Sequence, residues 1–279
     1  MKKNFKKSFL GTTFTTMLAL GIFTGSIQAN AAQAELPDAL SNESSDISST
    51  ELPASPALTD EELRAYFGDS VFIGDSIMLG FRNYSAKQET YVHDIQFLAV
   101  GSYGVKCALK PVNKDNIHPK YKGKKYQLWE AIPLMDCKRV FILFGMNDIA
   151  PLGLEGARDK YKELMDKILE NSPDLEIHII SMTYTLEGEG KEILNNTNIA
   201  EYNILLQEMA EENGWGYIDL CTPISDGNGN LAENCCSDGF VHLTSTAYTL
   251  WEAELINYAN TVLLTEENGV PDTEAVISE

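Results

Sequence analysis

Positive charge is scarce in this chain. Its 279 residues include 21 Lys and Arg against 41 Asp and Glu, a formal net charge of −20. Phosphate contacts need clustered Lys and Arg, so nucleic acid is not an expected partner. The acidic residues are dispersed and read as a solvated surface. Cysteine is sparse as well: Cys107, Cys137, Cys221, Cys235 and Cys236 form an odd set, which leaves at least one thiol unpaired. Adjacent Cys235 and Cys236 lack the spacing of a zinc site; no metal or other cofactor is expected. Cys107, Cys137 and Cys221 read as small core residues, and one disulfide to Cys235 or Cys236 stays open. Beyond Ile27 no apolar run is long enough to span a bilayer. There is no G-x-S-x-G nucleophile elbow, which disfavours the α/β-hydrolase fold.

At the N-terminus, basic Lys2, Lys3, Lys6 and Lys7 precede an apolar stretch from Phe9 to Ile27, and Ala29-Asn30-Ala31 offers a small-x-small cleavage site. This pattern predicts a secretory signal over 1–31, cleavage near Ala31, an extracellular product and no stable membrane insertion afterwards. An uncleaved anchor is the alternative, against which the cleavage site argues. Without its four leader lysines the chain has 17 basic residues against 41 acidic ones. Residues 32–58, with "SNESSDISSTELPASPAL" at their centre, read as a disordered Ser/Pro-rich linker. The folded domain is expected over 59–265, opening on a capping box of Thr59 and Glu62, with an acidic tail over 266–279.

Within the domain, "SVFIGDS", "IQFLAVG", "RVFILFG" and "LEIHIISMT" read as buried strands and "GYIDL" as a weaker fifth. Leu154, Ala157, Tyr161, Leu164 and Ile168 step by three and four along one helix face. Ile199, Tyr202, Leu206 and Met209 do the same, as do Ala247, Trp251, Leu255, Tyr258 and Val262. Continuous apolar strands alternating with amphipathic helices predict a parallel sheet covered on both faces.

The triplet Gly-Asp-Ser occurs twice, ending at Ser70 and at Ser76. In an open α/β sheet, ligands bind beyond the carboxyl ends of the strands. Ser70 precedes the first strand and reads as a turn residue at the opposite edge, whereas Ser76 follows the strand. The second strand leads into "VGSYGV" and the third into "FGMNDIA", and "CSDGFVHLT" stands before the last helix. Of the four histidines, His93 and His118 fall in polar loops and His178 alternates within a strand as a structural residue, which leaves His242. Acyl transfer needs a nucleophile, a base, an orienter and oxyanion donors. Ser76, His242 and Asp238 can fill the first three roles. Asn147 and the amides of Gly104 and Ser76 can supply the donors. Asp75 and Asp148 read as structural acceptors for backbone amides, and Asn203 as helix surface.

Taken in order, "IGDSIMLG", "VGSYGV", "FGMND" and "DGFVHLT" resemble the four blocks of the SGNH hydrolases, also called the GDSL esterase/lipase superfamily. The resemblance spans Val71 to about Ala259. It implies a three-layer α/β/α sandwich with a flavodoxin-like, mostly parallel five-stranded sheet, Ser76 as nucleophile, Gly104 and Asn147 as oxyanion donors, His242 as base, and ester hydrolysis without a metal. Two positions depart from the pattern. The second block has Ala99 where an Asn is usual, which leaves Gly101 as a rival to Gly104. The last block has Gly239 where Asp is usual, with Asp238 one residue further back. Either a bulge absorbs the extra residue, or a backbone carbonyl orients His242 in a Ser-His dyad. The expected function is a secreted serine esterase acting on small-molecule or carbohydrate esters with short acyl chains, O-acetyl groups on carbohydrate included. The alternatives are an acyltransferase with the same residues and a non-catalytic carbohydrate-binding module.

Overall fold

The structure, a computed structural model, describes residues 58–267. The expected signal, the linker up to residue 57 and the tail from residue 268 lie outside the described residues. The first helix, α1 (Asp60–Gly68), starts as its sequence predicts. The Thr59 hydroxyl accepts from Glu62 N at 3.3 Å, and Glu62 Oε2 accepts from Thr59 N at 2.7 Å.

Seven strands follow: β1 (Ser70–Gly74), β2 (Gln96–Ala99), β3 (Lys120–Tyr121), β4 (Lys124–Lys125), β5 (Arg139–Leu143), β6 (Glu176–Ile180) and β7 (Gly216–Ile218). The main sheet has the order β2-β1-β5-β6-β7 with every pairing parallel. This is the flavodoxin-like order, reversing direction at β1. The short antiparallel pair β3–β4 stands apart and was not expected; its lysine-rich strands carry no apolar alternation to announce them.

The helices are α2 (Ser76–Ser85), α3 (Val105–Ala108), α4 (Leu128–Ala131), α5 (Ile149–Leu152), α6 (Leu154–Asn171), α7 (Asn196–Glu212) and α8 (Ser245–Glu267). Alternation along β1 shows how they form layers. Val71 and Ile73 pack into one core with Ala157, Tyr161 and Leu164 of α6 and Ile199, Tyr202 and Leu206 of α7. Phe72, pointing the other way, packs into a second core with Phe67 of α1, Phe81 of α2 and Trp251 and Leu255 of α8. Both faces of the sheet are thus covered, giving the three-layer α/β/α sandwich. Across the second core Phe72 stacks on Phe141 at 4.6 Å, and Trp251 Nε1 donates to Leu220 O at 2.8 Å, so the buried indole N–H is satisfied. No helix among the described residues is long and apolar enough to cross a membrane.

All five thiols are free. Cys221 and Cys235 are buried, while Cys107 and Cys137 sit at the margin of the first core.

Candidate active site

The register pairs Gly74 of β1 with Ala99 of β2 and Leu143 of β5, so the chain leaves these three strands at one level. Beyond that edge Asp75 caps α2, its Oδ1 accepting from Ile77 N at 2.9 Å, and Ser76 is the first helical residue. The loop after β5 brings Asn147 to the same place, and the segment before α8 brings His242. Ser76 Oγ lies 2.9 Å from His242 Nε2, and His242 Nδ1 lies 2.6 Å from Asp238 Oδ2. The three residues proposed from sequence for nucleophile, base and orienter therefore form one connected line.

The extra residue between Asp238 and His242 is absorbed locally. Gly239 has φ +75°, a conformation that costs glycine little. The turn it makes wraps the backbone around Asp238 Oδ1, which accepts from Phe240 N at 2.9 Å, Val241 N at 3.0 Å and His242 N at 3.1 Å. The other carboxylate oxygen is left for the imidazole. Burial raises the Asp238 pKa, but the hydrogen bonds from His242 and these amides outweigh it and hold the carboxyl well below the usual carboxylate range.

Gly104 lies just past β2, at the N-terminus of α3. A side chain there would meet Asp148, with Oδ2 only 2.4 Å from a Cβ, whereas Gly101 faces open space. Asp148 accepts from Val105 N at 3.0 Å and Lys106 N at 3.2 Å, which ties the Gly104 turn to the Asn147 loop. A side chain is thus excluded at Gly104 and not at Gly101. Asn147 Nδ2 donates to Asp75 Oδ2 at 2.9 Å and to Tyr103 O at 3.1 Å, so both amide hydrogens are engaged.

Asp75 is fully buried. Burial pushes its pKa up to about 7. The amide of Ile77 pulls it down, nearby Asp148 pushes it further up and His242 pulls it down. Burial likewise raises Asp148, against its backbone amide donors. Both aspartates accept backbone amides, as read from sequence.

Three sequence readings change. Ser70 is the first residue of β1, not a turn residue, and is fully buried. His118, placed in a polar loop, is also buried, at 3 % exposure. Asn203 is not mere helix surface: its Oδ1 accepts from Met182 N at 2.7 Å and its Nδ2 donates to Met182 O at 2.8 Å, clamping the exit of β6. An Asn within a helical apolar stripe was the available signal, since its polar amide needs partners when half-buried. His178 is structural, stacked on Phe141 at 4.5 Å with Nδ1 2.7 Å from Tyr258 OH.

Comparison with known proteins agrees with this architecture. Three solved structures share the fold. One, described as a platelet activating factor from Streptococcus pneumoniae, is 20% identical with a TM-score of 0.52, covering 71% of this chain and 92% of that one. An acylhydrolase from Bacteroides fragilis is 17% identical at 0.51, covering 75% and 91%. A GDSL-like lipase from Bacteroides thetaiotaomicron is 15% identical at 0.50, covering 69% and 88%. No curated protein sequence matches. The pattern of the GDSL-like Lipase/Acylhydrolase family matches residues 67–250, which takes in Ser76, Gly104, Asn147, Asp238 and His242. The chain belongs to this family of hydrolases, within the SGNH superfamily that its four sequence blocks resemble.

Proposed function

We propose that the protein is a secreted serine esterase that removes short acyl groups, O-acetyl groups on carbohydrate among them, through an acyl-enzyme on Ser76. The observation that carries this reading is the unbroken line Ser76–His242–Asp238, at 2.9 Å and 2.6 Å. Secretion rests on the leader pattern in the sequence. The preference for short acyl groups rests on the lack of an apolar lid segment in the sequence.

In this mechanism His242 Nε2 takes the Ser76 proton as Oγ bonds to the ester carbonyl carbon. The carbonyl π electrons move to oxygen and create the oxyanion. The Ser76 and Gly104 amides and Asn147 Nδ2 stabilise it, each donor contributing about 3–4 kcal/mol in the transition state. Asn147 must release one hydrogen to do so, and the longer bond to Tyr103 O is the one exchanged. Collapse expels the alcohol, which leaves with the proton held by His242. Water, deprotonated by His242, then attacks the acyl carbon, and the carboxylic acid departs as Ser76 regains its proton. Asp238, held ionised, keeps Nδ1 protonated and stabilises the imidazolium.

The test is hydrolysis of p-nitrophenyl acetate by the parent chain and by Ser76→Ala. The parent is expected to turn it over and the variant to lose nearly all activity. A parent that cleaves no short-chain ester, or a fully active Ser76→Ala, sinks the proposal. A sugar alcohol included as competing acceptor separates hydrolysis from acyl transfer by its product.

A further inference from the structure

Lysine is unevenly placed in this chain. Of the 17 basic residues in 59–265, seven fall between Lys106 and Lys125, and Asp115 is the only acidic residue in that stretch. Against a net charge of −20 this is a local reversal of sign. Acidic partners do not neutralise it. Among the described residues, the Lys and Arg ion pairs involve Arg64, Lys138, Arg139, Arg158, Lys160 and Lys162, and none lies in the stretch. Lys125 is used internally, its Nζ donating to the carbonyls of Asn113 at 3.3 Å, Lys114 at 3.4 Å and Asn116 at 2.7 Å. The other six are exposed, among them Lys114 on the loop so held and Lys120 at the start of β3.

The loop closes over a groove of about 490 Å³ against α2 and β2. Leu79 and Arg82 of α2, Phe97 of β2 and Val100 line one side, and Lys114 to Lys120 line the other. The groove is adjacent to the reacting serine. Leu79 lies three residues beyond Ser76, ~4.5 Å along the helix axis. Val100 N donates to Gly74 O at 3.2 Å, two residues before Ser76. His118 lines the groove while buried, and neither ring nitrogen has a hydrogen bond of acceptable geometry, although the carbonyls of Pro111 and Lys110 lie near. A buried polar group without a partner is costly, and a polar ligand in the groove relieves that cost.

We propose that this groove is an anion subsite next to Ser76, in which Arg82, Lys114 and Lys120 hold a carboxylate or phosphate on the alcohol part of the ester, His118 hydrogen-bonds it, and the apolar walls pack against its ring. The substrate class is then an acylated acidic sugar rather than a neutral one. This rests on Ser76 as the reacting residue, but the binding step can be measured without turnover.

The experiment uses Ser76→Ala protein and titrates glucuronate, glucose 6-phosphate and glucose by calorimetry. At least one anionic sugar is expected to bind at least about tenfold more tightly than glucose, and whichever binds identifies carboxylate or phosphate as the group recognised. Adding Lys114→Ala and Lys120→Ala is expected to weaken that binding about tenfold or more. Binding should also weaken as NaCl rises from about 20 to about 300 mM, because exposed charges are screened. Two anionic sugars that bind no better than glucose overturn the proposal, as does a folded triple variant with undiminished affinity. If the triple variant does not fold, an affinity for the anionic sugar that is indifferent to salt overturns it. None of these outcomes depends on whether the parent chain hydrolyses p-nitrophenyl acetate, so the two proposals fail separately.

Discussion

Tyr66 O accepts from Ser70 Oγ at 3.0 Å and from Arg139 Nη1 at 2.7 Å, and Asp69 pairs with Lys138 at 2.7 Å. The first Gly-Asp-Ser triplet thus ties α1 to the amino ends of β1 and β5. Ser70→Ala removes the hydroxyl donor to that carbonyl and is expected to cost about 1 kcal/mol in urea unfolding. Its rate on p-nitrophenyl acetate should stay within about twofold of the parent's, and a large loss would mean that the wrong serine has been assigned. Asp238 is the complementary case, because the role proposed for it is exerted through His242. Asp238→Ala is expected to lower kcat by about 10²–10⁴. A kcat within about twofold of the parent's would leave a Ser-His dyad as the working unit.

At the scale of elements, the site is held by loops that fasten to one another. Asp148 ties the Gly104 turn to the Asn147 loop, and Asn203 of α7 grips Met182 at the exit of β6 through two hydrogen bonds. Asn203→Ala leaves the Met182 amide and carbonyl without these partners, and should destabilise the fold by about 2 kcal/mol in denaturant titration. An unchanged midpoint would show that water replaces the amide at no cost. The strands themselves were legible in sequence because parallel strands buried on both faces read as continuous apolar runs, as in "RVFIL". The clamp was not legible. A helical Asn has one appearance in sequence whether it faces water or a neighbouring backbone, and only packing distinguishes the two. The burial of His118 escaped notice for the same reason, since its neighbours in sequence are polar.

For the molecule as a whole, Asp75 links the site to stability. Its folded pKa of about 7 lies above the ordinary aspartate value of 3.8, so between those limits the unfolded chain loses the proton while the folded chain keeps it. Stability from this group is therefore complete below about pH 4 and is lost as pH rises through about 7. Asp238 works in the opposite sense, because its depressed pKa contributes stability that is lost on acidification. Asp75→Asn should remove the first dependence. Its melting temperature relative to the parent is expected to be higher at about pH 8 than at about pH 4.5, and parallel profiles for the two proteins would refute the assignment.

The sequence by itself determined the layering, the strand order's family and the ranking of Ser76 over Ser70. The layering follows from local hydrophobic pattern and the ranking of the serines from which end of the strand each occupies, whereas the flavodoxin-like strand order was implied by the four-block resemblance. Tertiary structure alone decided the rest. Gly104, unlike Gly101, is closed to a side chain by Asp148, 44 residues further along. Asp238 reached His242 across a non-standard spacing because Gly239 can hold φ +75°. Both hydrogens of Asn147 were found engaged only once β1, β2 and β5 brought Asp75, Tyr103 and Asn147 to one edge. These outcomes depend on distances between residues remote in sequence. Such distances are set by how the strands align and the helices pack, which no short stretch of residues encodes.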